Sequence, residues 1–127
     1  MNRTVTLGVP NAILFVFDPV APDVVVPAPE PGSLVAATGT CVSICTQIDV
    51  DGDTEVTLAG APFPVAGLVR AGGATVAVRS GTLAVETCER HRVAAIEVPL
   101  RESALTVWVN DDRFPSRVVI VVEGEGG

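Results

Sequence analysis

The chain has 127 residues, which suits one domain with a substantial core and leaves little room for two. Hydrophobic residues make up 48% but aromatics only 4%, so the core is expected to be Val, Ala, Leu and Ile, and ten prolines with twelve glycines cut the chain into pieces too short for long helices. A net charge of −7 and a pI near 4.5 exclude the basic stripe that nucleic acid or an anionic membrane needs.

Residues 4–9 alternate in polarity and predict a first strand, closed by the turn signal Pro10-Asn11. Residues 12–17 are continuously apolar and predict a strand covered on both faces. They and residues 118–122 are the longest apolar runs, far short of a membrane span, and no apolar leader precedes the first strand, so the default expectation is a cytoplasmic protein. Residues 18–32 hold five prolines and read as an extended connection, with Val24-Val25-Val26 suited to pairing at a sheet edge.

Residues 40–48 alternate, with Val42, Ile44 and Ile48 on one face and Cys41, Ser43, Cys45 and Gln47 on the other. A turn at Asp51-Gly52 followed by residues 54–58 predicts a hairpin. Pro62-Phe63-Pro64 breaks the ladder. Residues 65–70 predict a short strand ended by a turn at Gly72-Gly73, and strands at 74–79 and 82–87 follow, joined by Ser80-Gly81. Residues 92–98 predict the next strand. Residues 104–110 place Leu105, Val107 and Val109 on one face and Thr106 and Trp108 on the other. After the turn Asn110-Asp111-Asp112-Arg113, residues 117–123 form the last strand, and 124–127 are a tail expected to fray. The whole reads as an all-β chain, an antiparallel β-sandwich of about eight to ten short strands in a single domain over 1–127.

The chemistry-bearing residues are few. Asp49, Asp51 and Asp53 alternate as calcium ligands do, but the EF-hand spacing fails: its sixth and twelfth positions fall on Thr54 and Gly60. Solvated acids at a hairpin tip are the simpler reading, with a calcium- or ligand-binding module as an alternative. Asp111 and Asp112 suit turn chemistry, and they would form a negative pole if they shared one end of the sandwich with Asp51 and Asp53. His91 lies in a charged turn with Cys88 three residues before it, and no Gly-x-Ser-x-Gly accompanies it, so no catalytic residue is assigned and no enzyme is expected. Cys41 and Cys45, about 13 Å apart along a strand, cannot bridge each other. With no CxxC pair and one histidine, neither metal nor cofactor is expected. Trp108, the only tryptophan, is either an inter-sheet filler or a surface anchor. All eight cations are arginine, which reflects composition rather than function.

Between about residues 73 and 122 the pattern Thr75-Val76-Ala77-Val78, Gly81-Thr82-Leu83-Ala84-Val85-Glu86, Arg92, Ile96-Glu97-Val98-Pro99 and Leu105-Thr106-Val107-Trp108 resembles the competence protein J family. The resemblance implies a small β-sandwich that inhibits a DNA-entry nuclease, and similar sandwiches look like immunity partners of bacterial toxins. Leu100-Arg101-Glu102 stands where that family's Gly-Asp-aromatic turn would be expected, and no binding residue is carried over. The expected function is therefore a non-enzymatic protein-binding sandwich, an acidic inhibitor or immunity protein of a basic nuclease or toxin. Asp111, Asp112, Trp108, Asp51 and Asp53 are its candidate binding residues. A structural homo-oligomer built on the valine segments 24–26 and 118–122 is the alternative.

Overall fold

The computed structural model describes residues 2–99 and 101–123. Ten strands are present: β1 (Asn2–Leu7), β2 (Ile13–Phe17), β3 (Val35–Ala37), β4 (Cys41–Cys45), β5 (Thr54–Gly60), β6 (Val69–Ala77), β7 (Thr82–Thr87), β8 (Arg92–Glu97), β9 (Glu102–Val109) and β10 (Arg117–Val122). They form two five-stranded sheets, ordered β1-β5-β10-β9-β6 and β3-β4-β2-β7-β8. All pairs are antiparallel except β5 with β10, which run parallel. The sheets stack with β8 over β1 and β5, and with β6 over β3 and β4. The all-β sandwich expected from two-residue periodicity is what the chain forms.

The core lies between the sheets and follows the alternation. Leu105, Val107 and Val109 of β9 interleave with Val118, Ile120 and Val122 of β10, opposite Leu14 and Val16 of β2 and Leu83 and Val85 of β7, all essentially sealed from water. Each such aliphatic side chain contributes about 1.5–3 kcal/mol on burial. The tail at 124–127 lies outside the described residues.

Several expectations need correction. The predicted hairpin of 40–48 with 54–58 does not form: β4 and β5 belong to different sheets, and residues 46–53, through a 3-10 turn at Asp49–Asp51, carry the chain from one sheet to the other. Alternation tells a strand which face to bury, and that face is the same whether the next strand lies beside it or across the core. Gly72-Gly73 is not a turn but a bulge inside β6, where the register against β9 shifts between Arg70 and Gly72. A Cβ on Gly72 would stand 2.9 Å from the Cβ of Val35 in the facing sheet, so close sheet contact selects glycine there. The strand predicted at 65–70 accordingly begins only at Val69.

Val24-Val25-Val26 join no ladder. Val25 is tethered through side chains instead: its N–H donates to Thr40 Oγ1 (2.9 Å), and Thr38 Oγ1 donates to its carbonyl (2.6 Å). The expectation that the strand at 12–17 is covered on both faces does not hold: Leu14 and Val16 face the core, whereas Phe15 and Phe17 point outward and are half-buried. The valine run of β10 is a central strand between β5 and β9, so it offers no free edge for self-assembly.

Two buried polar groups govern local stability. The first, Asp18, is 1% exposed. Its Oδ1 accepts from Val20 N–H (3.0 Å) and the Ser80 hydroxyl (2.6 Å), and its Oδ2 accepts from Ser80 N–H (2.9 Å). These bonds tie the start of the proline-rich strap to the β6–β7 crossing. Burial pushes the carboxyl up, but the Ser80 hydroxyl and the Ser80, Val20 and Ala21 amides together hold it below its ordinary value of 3.8. This stabilisation is complete above the unfolded-state value and is lost as pH falls through the lower folded one. Asp18→Asn is expected to cost about 1–3 kcal/mol at neutral pH. Urea melts should show the wild-type advantage shrinking only once pH drops below 3.8; an advantage that vanishes by pH 5 would contradict the assignment.

The second group is Thr54, fully buried at the start of β5 on the same inward phase as Val56 and Leu58, with a hydroxyl that has no partner among the described residues. Thr54→Val removes that hydroxyl at nearly constant shape, so stability should rise by about 1 kcal/mol and Tm by a few degrees. A lower Tm on thermal melting would show that the hydroxyl is satisfied.

Candidate functional site

The parallel pairing of β5 with β10 puts the loops that precede them, 46–53 and 110–116, at the same end of the sandwich. Two backbone hydrogen bonds join them: Gln47 N–H to Pro115 O (2.9 Å) and Glu55 N–H to Ser116 O (2.8 Å). Arg117 Nε bonds Glu55 Oε2 at 3.0 Å just below. Asp51, Asp53, Asp111 and Asp112, together with Asp49, are exposed on this end, with Arg113 the one cation of the two loops. Among the described residues no group of His, Cys, Asp or Glu converges in a way that would hold a metal ion.

Apolar side chains stand among these acids. Phe114 is 69% exposed and Val50 84%, and Ile48 is also exposed. The 110–116 loop presents Phe114 on a braced backbone. Asp111 Oδ1 accepts from Arg113 N–H (2.8 Å) and Phe114 N–H (3.1 Å), and Asn110 Oδ1 accepts from Ser116 N–H (3.1 Å) and Arg117 N–H (3.0 Å). Asn110 Nδ2 donates to Ser116 Oγ at 3.0 Å, and Pro115 is buried beneath. Hydrogen bonds from the Arg113 and Phe114 amides, with the nearby Arg113 charge, hold the Asp111 carboxyl below the usual range. On the neighbouring loop, Gln47 Nε2 donates to Asp53 O (2.9 Å), and Gly52 sits at φ 131°, a conformation that favours glycine.

Trp108 lies elsewhere, on the outer face of β9, half-buried beside Ala61, Pro62 and Phe63, with its indole N–H donated to Thr106 Oγ1 at 3.0 Å. Its outward phase with Thr106 was legible from alternation. The exposed aromatic of the loop end is Phe114, which sequence reasoning missed; the available signal was an aromatic residue inside a polar turn, Asp-Asp-Arg-Phe-Pro.

The cysteines and histidine form no nucleophilic pair. Cys88 contacts Asn11 Nδ2 (3.2 Å) and the Pro10 carbonyl (3.6 Å), and His91 is exposed in the β7–β8 turn. Burial pushes the Cys41 thiol up to about 11, and it raises Cys45 as well, so neither is a thiolate at neutral pH.

No family model matches the chain, and no curated protein matches it in sequence. Solved structures match it in fold. The crystal structure of ComJ, inhibitor of the DNA degrading activity of NucA, from Bacillus subtilis, is similar with a TM-score of 0.72 at 14% identity, over 95% of this chain and 94% of that one. The structure of crocagin biosynthetic gene J is similar with a TM-score of 0.59 at 11% identity, over 98% of this chain and 96% of that one. The likeness in fold to ComJ thus reaches well beyond residues 73–122, on which the sequence resemblance rests.

The bracing of the 110–116 loop is directly measurable. Asp111→Ala should increase amide hydrogen exchange at Arg113 and Phe114 while shifting global stability by less than about 0.5 kcal/mol, as expected for a surface position. Unchanged exchange at those two amides would show that Asp111 does not order the loop.

Proposed function

We propose that this chain is a non-enzymatic, protein-binding β-sandwich that inhibits a basic partner, a nuclease or a toxin, and that it binds through the loop end carrying Asp51, Asp53, Asp111 and Asp112. The observation that carries the reading is the meeting of the two acidic loops around exposed Phe114 and Val50. An enzyme that acts on nucleic acid must present cations to phosphates, and a rigid acidic surface competes for that groove. The fold shared with ComJ, itself an inhibitor of a DNA-degrading activity, supports the same reading.

The parts divide the work. The aspartates steer the encounter and set its salt dependence. Phe114 is the anchor: it is exposed, aromatic and held on a braced loop, so little conformational entropy is lost when it enters a pocket. Trp108, half-buried with its N–H already bonded, takes a supporting part on the flank of the same sheet.

The test is inhibition of DNA digestion by a basic DNA-entry nuclease with the purified full chain. Inhibition should weaken as salt rises. Asp111→Asn with Asp112→Asn should raise the inhibition constant about tenfold, chiefly through slower association. Phe114→Ala should raise it about thirtyfold through faster dissociation, with Tm unchanged in both variants. Full inhibition by both variants would remove this end as the contact, and lack of inhibition by the intact chain at low salt would remove the nuclease reading.

A further inference from the structure

The outer face of the second sheet carries a groove of about 620 Å³, within the size range of small-molecule sites. Its floor is built from the outward side chains of β2, Phe15 and Phe17, with Cys41 of β4 paired in register to Phe17. One wall is the proline-rich strap, which presents Pro22, Val24 and Val26 and is fastened by Asp18 at its start and by Thr38 and Thr40 at Val25. The other wall is β7 and the turn after it, with Glu86 and Arg90.

The polar end of this groove has a definite charge. Glu86 Oε2 is taken by Arg92 Nε at 3.2 Å, which neutralises the acid. Arg90 has no carboxylate partner among the described residues. Its backbone is held in the left-handed region at φ 64°, uncommon for a residue with a side chain. Thr87 holds that turn: its carbonyl accepts from Arg90 N–H (3.0 Å), and its hydroxyl accepts from Glu89 and His91 N–H (3.3 Å each). The groove thus runs from the Phe15 and Phe17 side chains and the strap to Arg90, which stands on a hydrogen-bonded turn with no carboxylate partner among the described residues.

We infer that this groove binds a small amphipathic carboxylate, with its alkyl or aryl body on Phe15, Phe17 and the strap and its carboxylate paired with the Arg90 guanidinium. The guanidinium fork matches a carboxylate in two parallel hydrogen bonds, whereas a ligand cation would meet only an acid that already has its partner. The body of the ligand displaces water from two half-exposed aromatic rings, and the carboxylate sets its direction along β2. The inference stands on the second sheet and does not rest on the inhibitor reading.

The experiment titrates the full-length chain with dodecanoate, below its micellar concentration, followed by amide chemical shifts and calorimetry, with methyl dodecanoate as the uncharged control. Saturable one-site binding is expected, with shifts concentrated at Phe15, Phe17 and residues 87–90. Arg90→Gln should weaken dodecanoate by about tenfold or more, the weight of a charge-assisted hydrogen bond, and leave the ester unchanged. Arg90→Gly, which suits the left-handed backbone, should do the same and guards against a loosened turn. Absence of saturable binding, shifts confined to the Phe114 end, or wild-type dodecanoate affinity in both Arg90 variants would each overturn the assignment.

Discussion

The parallel pairing of β5 with β10 is the constraint on which the rest of the arrangement depends. Both strands start at the same end of the first sheet, so the segments that lead into them, one from the second sheet and one from β9, must turn over at that end side by side. The pairing then extends past the strands: Glu55 N–H and Gln47 N–H reach the carbonyls of Ser116 and Pro115, and Arg117 closes on Glu55. An antiparallel β5–β10 pair would send the two acidic loops to opposite ends of the molecule. The gathering of the aspartates at one end is thus a consequence of strand direction in the first sheet.

The same sheet explains why its tryptophan is less available than its position on a strand suggests. Val119 and Val121 of β10 lie on the outward phase yet are buried, and Trp108 is the register partner of Val119. With Ala61, Pro62 and Phe63 beside it, the indole helps cover the outer surface of the first sheet. On the second sheet the proline strap partly plays that role, but Phe15 and Phe17 stay only half-covered and a groove remains. A proline-rich segment donates few backbone hydrogen bonds, so it is fastened at points, by Thr38 and Thr40 and by Asp18, rather than along a ladder. A cover fastened at points leaves a hollow beneath it.

Much of this was legible in the chain. The phase of β9, with Leu105, Val107 and Val109 inward, and the positions of β1, β7 and β8 follow from alternation, because a half-buried strand leaves that mark whatever its partner, whereas β2 and β10 show as continuous apolar runs. Partner choice left no such mark. Asp51-Gly52 is turn chemistry whether the chain doubles back or crosses between sheets, and it crosses. Gly72-Gly73 also reads as a turn; its true role depends on Val35, a residue of the facing sheet in the short strand β3 that three small apolar residues barely announce. Asp51, Asp53, Asp111 and Asp112 were placed correctly in exposed loops, but their meeting rests on a long-range pairing that no local pattern encodes. Phe114 was passed over because a single aromatic in a loop carries no period.

Two strand acids, Glu55 and Glu86, each face an arginine, Arg117 and Arg92, and these solvent-accessible pairs add little to stability. On the end loops the aspartates have no such partner among the described residues; Asp111 turns one oxygen to backbone amides and leaves the other free. Unpaired like charges gathered on adjacent loops repel one another, and that cost persists in the free protein. A basic surface laid against this end would relieve the repulsion and gain attraction together, while the backbone bonds of the 110–116 loop are already made. The loop end therefore carries exposed aspartates with no salt-bridge partner among the described residues, on a backbone whose hydrogen bonds are already made.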